Sequence, residues 1–151
     1  MSLEVIDMVE KYLNELVGSL GVLYIKLHQH HWFVTGPKFF TLHERFEDYY
    51  DETTEYLDEV AERMLALELN PISTLSEFLD HSWIKESPYT DKKTDKEFVK
   101  SVYDDFTIMA EKLQEGLDVT ADANDDVTND MLVGMKTDYE KHLWMLRAYL
   151  D

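Results

Sequence analysis

Apolar residues recur at three- and four-residue steps through nearly the whole chain, the period of an amphipathic helix and not of a strand. Ile6, Val9, Leu13, Leu16, Leu20, Leu23, Leu27 and Val34 keep this rhythm with one longer gap, and Gly36-Pro37 stops it. A second stripe runs Phe39, Leu42, Phe46, Tyr50, Thr53, Leu57, Val60, Met64 and Leu67, and stops at Asn70-Pro71. Residues 70–93 are broken by Pro71 and Pro88, and Thr74-Leu75-Ser76-Glu77 reads as a capping box opening a short helix. Thr94-Asp95-Lys96-Glu97 is a second box, placed before Phe98, Val102, Phe106, Met109, Leu113 and Leu117. A loop over 121–125 leads to the last stripe, Leu132, Met135, Tyr139, Leu143, Leu146 and Leu150. Four long helices with a longer second connection predict an all-α four-helix bundle, with a short extra helix in that connection. No repeat or linker divides the chain, and 151 residues suit one domain, 1–151.

Charge narrows the partners. The chain carries 32 acidic against 14 basic residues, for a net charge of -18. Nucleic-acid affinity rests largely on Lys and Arg neutralising phosphates, so this balance argues against DNA binding. Excess carboxylate suits hard cations, which prefer oxygen ligands, and it also serves solubility. The absence of cysteine excludes disulfides and thiolate metal sites. No apolar run approaches the ~20 residues of a membrane span, and the N-terminus lacks the basic start and apolar stretch of a secretion signal. A cytoplasmic protein is the expectation.

The chemistry concentrates in His31, His43, Glu47, Asp58 and Glu62. His31 precedes the first stop and His43 follows it, so a tight turn between antiparallel helices brings the two to similar heights. On the second helix His43, Glu47, Asp58 and Glu62 fall at roughly 0°, 40°, 60° and 100°, one face, at about 100° per residue. They share no height: Asp58 lies about 22 Å along the axis from His43 at the usual rise. The stripe therefore holds a histidine half-site and a carboxylate half-site, which an antiparallel twofold partner would join into two equivalent metal sites. On spacing alone, solvated helix carboxylates and a hydrogen-bonded core histidine account for the same residues about as well.

The segment His31-Trp32-Phe33-Val34-Thr35-Gly36-Pro37-Lys38-Phe39-Phe40-Thr41-Leu42-His43 resembles the signature of the Dps family, and so does Asp58-Glu59-Val60-Ala61-Glu62-Arg63 at the expected distance. Asp125-Asp126-Val127-Thr128-Asn129-Asp130-Met131-Leu132 and His142-Leu143-Trp144-Met145 are similar to that family too, and the likeness spans nearly the whole chain. It is strongest to the non-DNA-binding ferritins of Gram-positive bacteria. The resemblance implies a ferritin-like fold, a hollow homododecamer and iron-oxidising centres at the twofold interfaces. There His31 and His43 of one subunit face Asp58 and Glu62 of the next. It implies ferroxidase chemistry on Fe²⁺, with hydrogen peroxide the preferred oxidant over oxygen, and storage of ferric mineral in the cage. Many relatives have aspartate at the position of Glu47, which leaves that ligand open. Glu-x-x-His pairs, the mark of ordinary ferritins and di-iron bundles, are absent.

Other candidates carry two readings each. Trp32, beside His31, either supplies an electron or packs at an interface. Glu44, Asp48, Asp51, Glu52, Glu55 and Glu59 form an acidic stripe beside the metal stripe, which in a cage faces the cavity and nucleates mineral. Asp126 and Asp130, one turn apart, line an acidic pore by the resemblance, or simply favour a helix N-terminus. His28, His30, His81 and His142 are expected to be structural or surface residues. The alternative function is a DNA-binding, chromosome-compacting member of the family. That role usually needs a lysine-rich tail, and residues 1–13 hold Lys11 alone against Glu4, Asp7 and Glu10.

Overall fold

The computed structural model describes residues 2–151 and is all-helical over them. Its helices are α1 (Leu3–Phe33), α2 (Phe39–Ala66), α3 (Leu75–His81), α4 (Asp95–Asp122) and α5 (Asp126–Leu150). Helices α1 and α2 pack as one pair and α4 and α5 as another, and α1 also lies against α4 and α3. This is the expected four-helix bundle of the ferritin-like type, with the short helix in its second connection. Both capping boxes form: Thr74 accepts from the Glu77 amide and Thr94 from the Glu97 amide, while each hydroxyl donates back to its glutamate. No described helix is long and apolar enough to cross a membrane.

The helix ends explain the turns. Helix α1 stops at Phe33, before Gly36-Pro37, because Val34 is already extended; its amide still reaches the His30 carbonyl at 3.0 Å. Gly36 then takes φ +106°, a conformation open to glycine, and the chain reverses into α2. Helices α2 and α4 end alike. Glu68 (φ 62°) and Asn124 (φ 57°) are left-handed, and the next amides reach back to the Met64 and Thr120 carbonyls at 2.8 and 2.9 Å.

Two features depart from the sequence pattern. On α2 the buried positions are Leu42, Phe46, Tyr49, Thr53, Tyr56, Val60 and Met64; Tyr50 and Leu57, expected in that stripe, are only half-buried. The face of α2 turned to the bundle sets Tyr49 against Phe106 and Tyr56 against Tyr139, so the core takes these neighbours instead. Helix α1, in turn, is buried on nearly all sides through its middle. Its inner face meets the bundle. Its outer face carries α3 and the loop to α4: Ser19 accepts from the Trp83 amide, Glu15 from the Trp83 indole N–H, and Lys26 and Gln29 donate to the Lys85 and Ser87 carbonyls. Gly18 and Gly21 make the seat, since a Cβ on either would stand 2.9 Å from the Phe78 carbonyl oxygen or 2.4 Å from the Phe78 ring.

Candidate metal centre

The turn between α1 and α2 brings His31 and His43 face to face, ring centroids 3.7 Å apart and planes within 15°. Each ring donates its Nδ1–H to the other residue's main-chain carbonyl, His31 to His43 at 2.6 Å and His43 to His31 at 2.8 Å. A carbonyl oxygen only accepts, so both protons belong on Nδ1 and both Nε2 lone pairs are left for a ligand. Such a bond to the second nitrogen is the usual support of a metal-binding imidazole. Phe39 stacks on the outer side of His43 at 4.9 Å and fixes that ring further.

Glu47, one turn along α2, sets its Oε1 3.9 Å from His31 Nε2. A single ion with first-row N and O bonds of about 2.1 Å reaches across that span. The Glu47 carboxylate is half-exposed and accepts from the Tyr50 hydroxyl at 3.3 Å. Asp58 and Glu62 lie at the far end of the same unbroken helix, exposed; among the described residues neither has a hydrogen-bond or ion-pair partner. No three His, Asp or Glu side chains of the described residues converge within one chain to hold a metal. The five candidates thus stand as two groups on α2, His31, His43 and Glu47 at one end and Asp58 with Glu62 at the other.

Glu62 shares an open depression of about 420 Å³ with Glu59, Arg63, Val127, Asp130 and Met131. This neighbourhood is not legible in the residue order, because it depends on how the C-terminal end of α2 meets the start of α5. Arg63 makes the junction: its guanidinium donates to Thr128 Oγ1 at 2.9 Å and to Asp125 Oδ1 at 3.1 Å. Asp125 caps α5 through the Thr128 amide; burial is the largest single influence and raises its carboxyl, but the bonds from Thr128 and Arg63 with the Arg63 charge together outweigh it and hold the carboxyl below the ordinary range. Asp126 and Asp130 are exposed on the same first turns of α5.

In the acidic stripe Glu44, Asp48, Asp51, Glu55 and Glu59 are exposed, but Glu52 is half-buried against His142, 2.9 Å from its Nε2. His28 donates from Nδ1 to the Tyr24 carbonyl and His81 to the Glu77 carbonyl. His30 faces the interior and is 4 % exposed. Trp32 is 63 % exposed and its ring lies beside His28, 5.4 Å between centroids.

Comparison with known proteins agrees with this architecture. Residues 10–151 match the ferritin-like domain family. General stress protein 20U of Bacillus subtilis is 47 % identical over 91 % of this chain and 94 % of its own length. The DNA protection during starvation protein of Listeria innocua is 42 % identical over 93 % and 90 %. Among solved structures, Dps from Listeria monocytogenes superposes with a TM-score of 0.93 at 42 % identity, covering 94 % of this chain and 92 % of that one. A Dps protein from Bacillus brevis gives 0.95 at 41 % identity over all of both chains. The protein belongs to the Dps family of ferritin-like proteins.

Proposed function

We propose that this protein stores iron and limits its toxicity, oxidising Fe²⁺ at sites shared by two subunits of a hollow homododecamer and keeping the ferric product inside. The observation that carries the reading is the mutual orientation of His31 and His43, which leaves two imidazole Nε2 atoms and the Glu47 carboxylate at one end of α2. Asp58 and Glu62 on the same face at its other end are the complement an antiparallel twofold partner brings. Mixed imidazole and carboxylate donors suit iron, and they are the expected ligands.

In the proposed reaction two ferrous ions give one electron each to hydrogen peroxide. The O–O bond breaks, two protons are taken up and two waters leave, so no hydroxyl radical is released. Oxygen is the slower oxidant. The exposed acids of α2 then offer ferric ions oxygen ligands in the cavity, and Asp126 with Asp130 line the route by which Fe²⁺ arrives. The protein acts in the cytoplasm.

Stopped-flow Fe²⁺ oxidation with peroxide and with oxygen tests the reaction, and complementation tests the shared site. His31→Gly with His43→Gly removes one half-site, and Asp58→Ala with Glu62→Ala removes the other. Each double variant loses fast oxidation. Cages refolded from a mixture regain part of it, because a heterodimer keeps both intact halves at one of its two sites. Mixed cages, verified by mass spectrometry, that oxidise no faster than either parent refute the shared site.

The relatives named for DNA protection raise a second reading, direct DNA binding. The charge of -18 and the acidic first turns oppose it. Protection then follows from removing iron and peroxide, without contact.

A further inference from the structure

Tyr50, expected in the core, is instead wedged beside the candidate centre. Its ring is stacked on His28, centroids 3.6 Å apart and planes within 18°, and stands edge-on to His31 at 5.3 Å and to Tyr24 at 6.2 Å. His28 is fixed in turn: its Nδ1–H donates to the Tyr24 carbonyl at 2.7 Å, and the Tyr24 and Trp32 rings flank it. The boxed ring sets the position of the Tyr50 hydroxyl, which donates to Glu47 Oε1 at 3.3 Å. Among the described residues that is the one hydrogen bond the carboxylate receives; its other close approach is to His31 Nε2 at 3.9 Å.

We propose that Tyr50 is the positioning residue for Glu47: its hydroxyl holds the carboxylate beside His31 Nε2 before an ion arrives, and so strengthens the binding of the ion that Glu47 ligates. The inference rests on the metal-centre reading above. The three candidate ligands at this end of α2 are fixed unequally. Main-chain carbonyls orient both imidazoles directly. Glu47 has no such bond, and its carboxylate is half-exposed on a side chain with three rotatable torsions. Left free, it would have to be ordered by the ion, at a cost in conformational entropy that weakens binding. Tyr50 does that ordering in advance and relays it from the backbone of α1. The Tyr24 carbonyl fixes His28, His28 fixes the Tyr50 ring, and the Tyr50 hydroxyl fixes Glu47. The spacing suits the contact, since residues three apart on a helix are neighbours on one face. A phenol suits the task, because it gives the carboxylate one hydrogen bond and leaves its remaining lone pairs for a metal.

Co²⁺, whose visible absorption reports its ligands, is titrated into the assembled protein without oxidant, and binding is read at the absorption that His31→Gly with His43→Gly abolishes. Glu47→Ala marks the binding step that uses the carboxylate. Tyr50→Phe, which keeps the stacked ring and removes the hydroxyl, is expected to weaken that same step about 10–100-fold, the usual cost of removing an outer partner of a metal ligand. In the Glu47→Ala protein the same change has no further effect, because a residue that acts through Glu47 then has nothing to act on. A ring that only supports the fold would weaken both proteins alike. Wild-type Co²⁺ binding by Tyr50→Phe, an equal loss with and without the Glu47 carboxylate, or a Glu47→Ala titration that matches wild type overturns the assignment while leaving the histidine centre intact. If Co²⁺ binds the wild type no differently from the double histidine variant, the metal-centre reading fails, and this inference with it.

Discussion

His31 and His43 each take their orienting bond from the other's main chain and not from the other's ring. Removing one imidazole therefore leaves the acceptor of the other in place. Single variants, His31→Ala or His43→Ala, should keep their helix content and keep the surviving ring on its Nδ1 bond. Iron oxidation should fall by more than the roughly tenfold that loss of an outer partner costs a metal site. Circular dichroism with stopped-flow kinetics checks both halves; a single variant that oxidises iron at the wild-type rate removes its histidine from the site.

His30 gives the fold an acid limit. Burial, then the charges of Lys26 and Lys93, lower its pKa from 6.5 to about 4. One ring nitrogen meets Ser101 Oγ at 3.1 Å and the other, Nδ1, has no partner. The unfolded chain takes up this proton first, so the contribution is whole above pH 6.5 and is lost as pH falls towards 4. The amount is about 3 kcal/mol at 1.36 kcal/mol per pH unit. Denaturant titrations of wild type and His30→Leu should diverge across that window, with the variant less pH-dependent. Parallel curves would mean that His30 titrates normally.

Lys26 and Asp105 form a largely buried pair at 2.8 Å, and burial raises the Asp105 pKa although Lys26 opposes it. Lys26→Met strands the carboxylate. The expected cost is about 3–5 kcal/mol, the usual penalty for removing one partner of a buried pair. Adding Asp105→Leu should recover much of it, because no charge is then left in the interior. Thermal unfolding of the single and double variants decides this; a double variant no more stable than the single would contradict it.

Gly21 seats α3. A Cβ there meets Cδ2, Cε2 and Cγ of Phe78 at 2.4, 2.9 and 3.0 Å, too near the root of the ring for its tip to swing clear. Gly21→Ala should raise amide exchange across 75–81 while the interior of α1 stays protected, since alanine favours the helix that carries it by about 1 kcal/mol. Unchanged exchange in α3 would show that Phe78 has another resting place.

Asp126 and Asp130 are tested by exchanging both for Asn. Iron uptake should slow at low ionic strength with assembly intact, because neighbouring carboxylates raise the local cation concentration. Equal uptake by both proteins assigns the route elsewhere.

Much of this molecule is legible from its residues. Apolar spacing yields the four long helices; Thr94 with Glu97 marks the start of one of them, and Thr74 with Glu77 the start of the short α3. His31 and His43 stand out because a turn separates them. What escaped is the part fixed by phase and by tertiary meeting. Tyr49 and Tyr50 are both plausible core residues in a periodic reading, and only the roll of α2 against α4 and α5 decides between them. Gly18 and Gly21 look like weak points of a helix until α3 lies on them. His30 is one of three histidines in four residues, and nothing in its spacing says that it is the one set among Phe46 and Phe98.

The unbroken run of α2 from Phe39 to Ala66 makes it a ruler. No kink or bulge lies between Glu47 and Asp58 to absorb a change of length, so the direction of Asp58 and Glu62 is set by counting residues. One residue inserted in that interval would swing both carboxylates by about 100° relative to His43. Seven would return them to within about 20° of their face, but about 10 Å farther along the axis. Substitutions in this stretch can be many; a change of length cannot be small.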